Sequence, residues 1–443
     1  YDEEDIFPKI NIPIKDIEKC KSILLIDSNI TYEQPILSHK IRKAFLKEAK
    51  INSIHTYNYK NNFDLKNSLL INPNHLVETL IDVIEYLSII TVNDKTLKNF
   101  KIPESISKNF KGLTNNNIIE ISNDLLHSNS IIFLGSNLKN HPDFQLLKIL
   151  TNIISIYTKS NTCYLGDTSN EAGAWLTGCL PHKNIGNISA KHHGMNIKDS
   201  IIKKLDSYVI YNLDLIDFYY YSELKESLES AKFVLGFQSF VTEEEKNFYD
   251  VILPLATSFE SPGTFINIEK EWQSFAQGCS PHFDSKEGWK ILTKLRLESG
   301  AQLSNSLDYI DILNEVDHEI RNSKSIESKK VENFILNEIK SNNYLTRTGG
   351  NYCYFSDNIT RRSISLNTVN KNKNLVCVNK KTLEQNNIDL EKKKVILKQG
   401  DKSLLVKLSV DENVSDDCIY ISNSNKEHFE LGKQYQPITI ENV

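Results

Sequence analysis

The segment that decides the fold runs from Tyr249 to Glu269 and reads YDVILPLATSFESPGTFINIE. Its apolar run at 251–253 is followed by Pro254, which has no amide proton and cannot continue a central strand. A loop bearing Glu260 comes next, and after Gly263 the sequence returns to β-branched and aromatic residues. The segment therefore predicts a strand that ends at the proline, an acid-bearing loop, and a second strand that starts beside the glycine.

Four earlier segments are typical of strands followed by turns or helices. Continuous apolar runs at 22–26 and 130–134 suit strands that are buried in a parallel sheet, and the runs at 207–211 and 232–237 open a third and a fourth unit. Apolar residues at helical spacing follow the first two runs, starting at Pro35 and near Leu146. Residues 50–57 are typical of the strand that completes the first βαβ unit. This alternation predicts an α/β fold with doubly wound parallel-sheet domains.

The sequence changes character after these units. From 286 to 343 apolar residues recur at helical spacing among charges, and beyond 344 short β-rich runs are separated by turns. We therefore expect joining helices and then a small C-terminal β-barrel. The predicted division is an extended lead-in at 1–20, α/β domains at 21–158 and 159–300, a helical connection at 301–350, and a C-terminal extension with the small β-barrel at 351–443.

Composition argues against several classes of partner. The 443 residues carry 52 basic and 57 acidic side chains, a net charge of −5, so no basic surplus favours nucleic acid. No apolar run approaches the roughly 20 residues that span a bilayer, and the first residues lack the basic-then-apolar order of a signal peptide. We therefore expect a cytoplasmic protein without direct membrane insertion. Tyr1 at the start and Met195 as the sole methionine suggest a fragment of a longer chain.

Seven cysteines are scattered through the sequence without any Cys-x-x-Cys pair. Neither a disulfide framework nor an iron–sulfur site is indicated, because clusters are usually ligated by closely spaced thiolates. We predict that the cysteines are buried, reduced thiols. They are Cys20, Cys163, Cys179, Cys279, Cys353, Cys377 and Cys418.

Two turns that follow predicted strands are candidate ligand sites. They are Asp27–Asn29 and Gly135–Asn137. Neither supplies the G-x-G-x-x-G pattern whose glycines let a pyrophosphate approach the backbone, and the Walker phosphate loop is absent as well. We interpret both turns as strand-to-helix connections that border a crevice at the carboxyl ends of the strands.

The candidate metal ligands match no established pattern. His192 and His193 are adjacent and lack an acidic companion, so we interpret them as loop residues rather than metal ligands. A second cluster has a spacing that matches no zinc finger or ribbon. Its members are Cys163, Asp167, Cys179 and His182.

Glu260 and a pair of arginines are the remaining candidates. Glu260 has no evident partner or pocket for acid–base chemistry, so we interpret it as a turn-capping or surface-paired acid. Arg361 and Arg362 lie in a segment that we expect to be extended, four residues after Asp357. They suit either docking on an acidic surface or simple solvation. We therefore assign no catalytic, cofactor-binding or metal-binding residue.

Three further segments, together with 249–269, resemble the molybdopterin oxidoreductase superfamily and, within it, the family of the large G subunit of NADH-quinone oxidoreductase, respiratory complex I. Residues 23–44, ILLIDSNITYEQPILSHKIRKA, are similar to the family's strand, polar loop, Glu-x-Pro and arginine-bearing helix. Residues 167–174, DTSNEAGA, are similar to its asparagine, acid and glycine segment before a Leu-Pro dipeptide. Residues 354–368, YFSDNITRRSISLNT, are similar to a double-arginine pattern of the G subunit. The matching positions in the first segment are Glu33, Pro35, Arg42 and Ala44.

This resemblance implies a fold and a role. The fold would be that of the formate dehydrogenase and DMSO reductase type, with interleaved α/β domains and a C-terminal β-barrel. The role would be that of a cofactor-free, non-catalytic body of the G subunit, in the complex that couples NADH oxidation to quinone reduction and proton translocation. Its 2Fe–2S and 4Fe–4S clusters would lie in an N-terminal region absent from this sequence. Other peripheral-arm subunits would be its partners, on the cytoplasmic face of the bacterial inner membrane.

Two alternatives stay open beside this role. The chain is either a fragment of an active molybdopterin-dependent oxidoreductase or a stand-alone α/β module that binds a nucleotide or anion. Asp27 and Ser28 stand where the family's loop would offer a glycine to a pterin phosphate, which argues against a tightly held dinucleotide. The metal-ligand position of active members would fall at or before the start of the sequence, and Cys20 lies too close to the first strand to replace it.

Overall fold

A computed structural model describes residues 9–97, 102–110, 115–127, 129–166, 168–218, 220–300, 308–323, 344–350, 357–369, 376–389, 394–423 and 425–443. These residues divide by packing into two compact units. The discontinuous unit consists of the described parts of 8–167, 329–356 and 360–443, and the middle unit consists of those of 168–328 and 357–359. The domain boundaries that the sequence suggested stay predictions.

The first half of the discontinuous unit is a parallel sheet with its helices. The strands are β1 (Ser22–Ile26), β2 (Lys50–His55), β3 (Asn67–Leu70), β4 (Ser130–Leu134) and β5 (Asn161–Tyr164). The helices are α1 (Ile30–Glu33), α2 (Pro35–Phe45), α3 (Leu76–Ile90), α4 (Glu104–Ser107), α5 (Asn116–Leu125) and α6 (Phe144–Thr158). The strand order is β3-β2-β1-β4-β5 with all neighbours parallel, so the direction of winding reverses between β1 and β4.

The core of this sheet follows from its apolar strands. Every residue of β1 and of β4 is buried, as expected for strands in the centre of a parallel sheet. Ile26 of β1 lies opposite Ile54 of β2 and Leu134 of β4, and the apolar faces of α3 and α6 pack in the same core. Pro35 stands at the start of α2, where its missing N–H costs nothing. The predicted strands at 22–26 and 130–134 and the helix from Pro35 are confirmed.

The middle unit contains a second parallel sheet and a hairpin. Its strands are β6 (Lys183–Asn184), β7 (Ile188–Ser189), β8 (Ser207–Tyr211), β9 (Phe233–Gln238), β10 (Val251–Pro254), β11 (Gly263–Ile266) and β12 (Trp272–Phe275). Its helices are α7 (Glu171–Leu176), α8 (Ile197–Lys203), α9 (Tyr221–Ser230), α10 (Gly288–Glu298) and α11 (Tyr309–Asn322). Strands β10, β9 and β8 pair in that order and are parallel, whereas β11 and β12 are antiparallel.

The segment 249–269 folds as its sequence predicts. Strand β10 ends at Pro254, and β11 begins at Gly263. A Cβ atom at Gly263 would lie 2.6 Å from the ring of Phe275 on the paired strand, so the glycine permits the hairpin's close approach. Asn170, immediately before α7, accepts a hydrogen bond through Oδ1 from the Ile266 N–H at 2.9 Å. Two segments that resemble the family are therefore joined directly within this unit.

The C-terminal half of the discontinuous unit is β-rich. Its strands are β13 (Thr346–Thr348), β14 (Val376–Val378), β15 (Lys394–Gln399), β16 (Lys402–Lys407), β17 (Ser409–Val410), β18 (Cys418–Ile421) and β19 (Thr439–Asn442). The helices of this part of the sequence are α12 (Asn358–Arg362), α13 (Ile364–Val369), α14 (Lys380–Gln385) and α15 (Lys426–Leu431). Two sheets, β13-β18-β14-β17 and β16-β15-β19, share one apolar core. Since neither sheet closes on itself within the described residues, the small β-barrel stays a prediction.

Gly135 offers a test of how tightly the ends of β1 and β4 are packed. A Cβ atom there would overlap the carbonyl oxygen of Asp27, a backbone atom that cannot move without shifting β1. We expect Gly135→Ala to lower the free energy of unfolding by about 3 kcal/mol or more. Gly278→Ala is the matched control, because its Cβ would meet only ordinary van der Waals contact at 3.4 Å. Denaturant titration of both variants checks this, and equal stabilities would contradict the packing described.

Candidate functional site

The candidate site lies at the carboxyl edge of the five-stranded sheet, where β1 and β4 are neighbours. Open α/β sheets bind ligands at such an edge, in the crevice where the winding reverses. The turns Asp27–Asn29 and Gly135–Asn137 follow these two strands, as the sequence suggested. We refer to the residues around these two turns as the switch-point edge.

Asp27 is the most buried acid of the switch-point edge, with 1 % of its surface exposed. Its Oδ1 accepts hydrogen bonds from the Thr56 N–H at 3.0 Å and from Thr56 Oγ1 at 2.8 Å. Its Oδ2 accepts a hydrogen bond from the Tyr435 hydroxyl at 3.0 Å. The backbone of Asp27 has a φ of 40°, in the left-handed region that favours glycine. One carboxyl group therefore joins β1, the end of β2 and the C-terminal part of the chain.

Glu33 connects the two turns of the switch-point edge. Its Oε2 accepts a hydrogen bond from Ser28 Oγ at 3.0 Å, and its Oε1 accepts one from the Asn29 N–H at 3.1 Å. The same Oε1 accepts a third from Asn137 Nδ2 at 3.3 Å. The Asn29 N–H, which could otherwise bind an anion, is thus already hydrogen-bonded to the carboxylate of Glu33. Glu33 was singled out by resemblance, and the structure gives it this positioning role.

The C-terminal half of the unit covers the same edge. A Cβ atom at Gly350 would lie 2.7 Å from Asn137 Nδ2, so the backbone after β13 packs directly on the second turn. Gln434 Nε2 donates a hydrogen bond to the Gly349 carbonyl at 3.0 Å, and the neighbouring Tyr435 is the residue that contacts Asp27. The described residues of the C-terminal half therefore contact both turns of the edge directly.

A buried histidine lies behind Asp27, at the end of β2. The side chain of His55 is fully buried, and neither ring nitrogen has a hydrogen-bond partner among the described residues. Its ring lies edge-on to that of Tyr59, with centroids 5.7 Å apart. Burial lowers the pKa of His55 to about 4, and the nearby Asp27 offsets this only in part. His55 is therefore neutral at neutral pH.

The pKa values of two tyrosines in this region are shifted in the opposite direction to that of His55. Burial raises the pKa of Tyr59 and of Tyr435 well above the usual range, and the charge of Asp27 adds to the effect. Both hydroxyls therefore stay protonated, and that of Tyr435 can donate only because it keeps its proton. His141 packs against the ring of Tyr435 with centroids 5.1 Å apart, and burial lowers its pKa as well.

The residues at the switch-point edge do not suit a pterin dinucleotide. A diphosphate binds where free backbone N–H groups and positive charge converge. Here the carboxylates of Asp27 and Glu33 converge instead, and the Asn29 N–H is bound to one of them. The glycine that permits close approach, Gly135, meets the chain's own backbone at Asp27. A negatively charged ligand at these turns would face repulsion from both carboxylates.

The structure places Glu260 in a capping role. Its Oε2 accepts hydrogen bonds from the Thr257 N–H at 2.8 Å and from Thr257 Oγ1 at 3.0 Å, while Oε1 accepts one from the His282 N–H at 3.0 Å. These bonds, the Thr257 N–H first, hold the pKa of Glu260 below its usual value. The turn-capping interpretation of Glu260 is confirmed.

The predicted conformation around the arginine pair is wrong. Arg361 and Arg362 end the short helix α12 instead of lying in an extended segment. Asp357 causes this difference, because its Oδ1 accepts a hydrogen bond from the Ile359 N–H at 2.8 Å and so starts a helical turn. Cations at a helix C-terminus are favoured by the helix dipole. Residues 354–356 of the matching segment lie outside the described residues.

The prediction that the cysteines are buried is correct for Cys20, Cys163, Cys377 and Cys418 and wrong for Cys179 and Cys279. The two exposed thiols stand in loops after α7 and β12, where the elements within the described ranges leave them uncovered. Cys353 and Asp167 lie outside the described residues. Within the described residues, no three His, Cys, Asp or Glu side chains are placed to hold a metal ion. His192 and His193 are both exposed.

Comparison with protein families gives a match over most of the chain. A model described as molybdopterin oxidoreductase matches residues 8–296. None of the helices in the described ranges combines the length and hydropathy needed to cross a bilayer.

Two curated relatives carry different names. The G subunit of NADH-quinone oxidoreductase from Buchnera aphidicola is 23% identical over 336 residues, which cover 70% of this chain and 35% of that protein. The alpha subunit of an F420-dependent formate dehydrogenase from Methanocaldococcus jannaschii is 27% identical over 349 residues, which cover 68% of this chain and 51% of that protein. The chain thus spans about a third to a half of the length of these relatives.

A solved structure has a similar fold. The acetylene hydratase from Pelobacter acetylenicus superimposes with a TM-score of 0.66 at 10% identity, over 97% of this chain and 81% of that one. At this identity the similarity concerns the fold alone.

The buried side chain of His55 predicts that the stability of the fold depends on pH. The folded-state pKa of His55 lies below the value near 6.5 of an unfolded chain, so the stability it permits is complete above that pH and is lost as the pH falls from about 6.5 toward 4. Between pH 7 and pH 5 the free energy of unfolding should fall in both proteins. We expect this fall to be about 2 kcal/mol smaller in His55→Phe than in the wild type. Denaturant titrations at both pH values measure this difference. The exposed His192→Phe serves as control, and a His55→Phe variant that loses as much as this control would contradict the burial.

The contact between Tyr435 and Asp27 predicts a second stability effect. Tyr435→Phe keeps the ring but leaves Asp27 Oδ2 without its donor, and we expect a loss of about 1–3 kcal/mol in unfolding free energy. Tyr32→Phe, at a side chain that is 55% exposed, is the control and should be close to neutral. If the two variants unfolded at the same denaturant concentration, Tyr435 would not close the switch-point edge in solution.

Proposed function

Because the chain belongs to the molybdopterin oxidoreductase family, we propose that it is the cofactor-free body of the G subunit of an NADH:quinone oxidoreductase. In this role it would support the assembly that passes electrons from NADH to quinone and would not itself catalyse a step. Its partners would be the other peripheral-arm subunits, and it would be attached to the membrane through them.

The state of the switch-point edge is the observation that supports this proposal. Asp27 and Glu33 present carboxylates where a dinucleotide would need N–H groups, and Tyr435 occupies the space beside them. Hydrogen bonds of this kind stabilise the unit while they exclude an anion. A fold of the cofactor-binding type whose binding edge is closed in this way suits a structural role.

The second candidate is an active molybdopterin-dependent oxidoreductase. The formate dehydrogenase relative favours it, since its identity of 27% and its coverage are comparable with those of the complex I relative. The third candidate, a module that binds a nucleotide or another anion, is disfavoured by the same two carboxylates. A ligand of either kind would have to enter elsewhere or open the edge.

Co-purification from membranes tests the proposed assembly. We expect a tagged full-length protein to recover the other peripheral-arm subunits after mild detergent extraction, with an untagged strain as background. Gly278→Ala should retain this recovery, whereas Gly135→Ala, which disturbs the switch-point edge, should reduce it. Recovery of the intact tagged protein without any of these subunits would refute the complex I assignment.

Cofactor content separates the first two candidates. We expect the purified full-length protein to contain no molybdenum above the untagged background and to release no fluorescent pterin on denaturation. Stoichiometric molybdenum together with a pterin signal would replace the proposed role with that of an active oxidoreductase.

A further inference from the structure

The parallel sheet of the middle unit has an unprotected edge at strand β8. Among the described strands, β8 pairs with β9 alone. Its sequence, SYVIY, is rich in β-branched and aromatic side chains and carries no charge. The strand at the other edge, β10, ends at Pro254 and is followed by a bridge between Leu255 and Lys286. Edge strands are normally protected by charges, proline or covering elements, and an unprotected one tends to pair with another strand.

Alternate residues of β8 direct their main-chain groups away from β9. The Asn212 N–H, just after the strand, donates to the Phe237 carbonyl of β9 at 2.7 Å. Because successive residues of a strand direct these groups to opposite edges, the N–H and C=O groups of Ser207, Val209 and Tyr211 point outward. Within the described residues, none of these outward groups has a hydrogen-bond partner. They are therefore available to an added strand.

The side chains of β8 are equally open on one face of the sheet. Val209 is 66% exposed and Tyr211 is 51% exposed, and Ser207 beside them is exposed as well. Tyr208 and Ile210 point the other way, into the core that α8 and α9 cover. A strand added at this edge would therefore meet small and apolar side chains on one face and a finished core on the other.

A second copy of β8 matches this edge in one register. If two β8 strands run antiparallel about a two-fold axis at Val209, each Val209 lies opposite its own copy and Ser207 lies opposite Tyr211. Every outward N–H group then meets an outward C=O group of the other strand. Just beyond the strand, Asp206 would lie opposite Asn212, so no charge opposes a like charge. The edge is thus complementary to itself in hydrogen bonding and in charge.

Helix α8 offers apolar surface beside the same edge. It leads directly into β8 and is tied to it, because the Tyr208 hydroxyl donates to the Ser200 carbonyl at 3.1 Å. Ile197 and Ile202 of this helix are 63% and 68% exposed. A two-fold axis perpendicular to the sheet places the α8 helices of both copies on the same face of the joined sheet. Their exposed isoleucines can then add to the contact that the strands make.

We propose that two copies of this chain form a symmetric dimer through β8, with the two strands antiparallel and one continuous sheet running through both middle units. The contact uses residues of the middle unit alone and does not depend on the proposed function.

The concentration dependence of self-association tests the dimer. We expect sedimentation velocity of the full chain to show a reversible monomer–dimer equilibrium with a dissociation constant on the order of 10 µM, because the contact is small. Hydrogen exchange of the wild type locates the contact. The amides of 207–211 should exchange more slowly in the dimer than in the dilute monomer, whereas those of β10 should not change.

A charge exchange at the two-fold axis tests the register. Val209→Lys places two ammonium groups opposite each other, and Val209→Glu places two carboxylates there. Each variant alone should dimerise at least about tenfold more weakly than the wild type. An equimolar mixture of the two variants should recover the dimer, because opposite charges then meet. Val251→Lys is the matched control, since this side chain lies in the same row of the sheet at the β10 edge and is 42% exposed.

Four results would overturn the proposal. They are a wild type that stays monomeric up to about 300 µM, a dimer whose amides at 207–211 exchange as in the monomer, a Val209→Lys variant that dimerises as Val251→Lys does, and a mixture of the two charged variants that stays monomeric. Circular dichroism checks that each variant is folded, and hydrogen exchange of the wild type needs no variant.

Discussion

The buried carboxylate of Asp27 is the constraint on which the discontinuous unit depends. A charge removed from water must be matched by donors, because its desolvation costs several kcal/mol. Thr56, just after β2, supplies two of these donors. Tyr435, which lies 408 positions after Asp27 in the sequence, supplies the third. The requirement to satisfy one acid therefore fixes the positions of three distant parts of the chain. Folding of the parallel sheet and docking of the C-terminal half are coupled through it.

The sheet could be predicted from sequence because its information is local. A run of four apolar residues such as that within Ser22–Ile26 predicts a buried strand, and Pro254 and Gly263 mark the end of one strand and the start of the next. The helix around Arg361 could not be predicted in the same way, because it starts from one side-chain hydrogen bond of Asp357. Exposure of Cys179 and Cys279 likewise depends on which elements cover a loop, which no local pattern records.

The contents of the candidate site were only partly predictable. The sequence located its two turns, since they follow the strongest predicted strands, and resemblance singled out Glu33. The contact with Tyr435 carries no local signal, because it depends on how the C-terminal half folds back. His55 lies near the end of the strand predicted at 50–57, and this position near the carboxyl edge is the signal that could have identified it; in the structure it is the last residue of β2. Polar residues that end parallel strands merit attention even when no motif accompanies them.

The backbone at Asp27 carries a further consequence. Its φ of 40° is a conformation that glycine adopts freely and other residues adopt at a cost. The main chain thus retains a glycine-like path, while the side chain and its hydrogen bonds make up for the strain. Glycine at this position would remove the local strain, but it would also remove the hydrogen bonds to Thr56 and Tyr435. The same residue therefore carries a local cost in backbone energy and a long-range gain that offsets it.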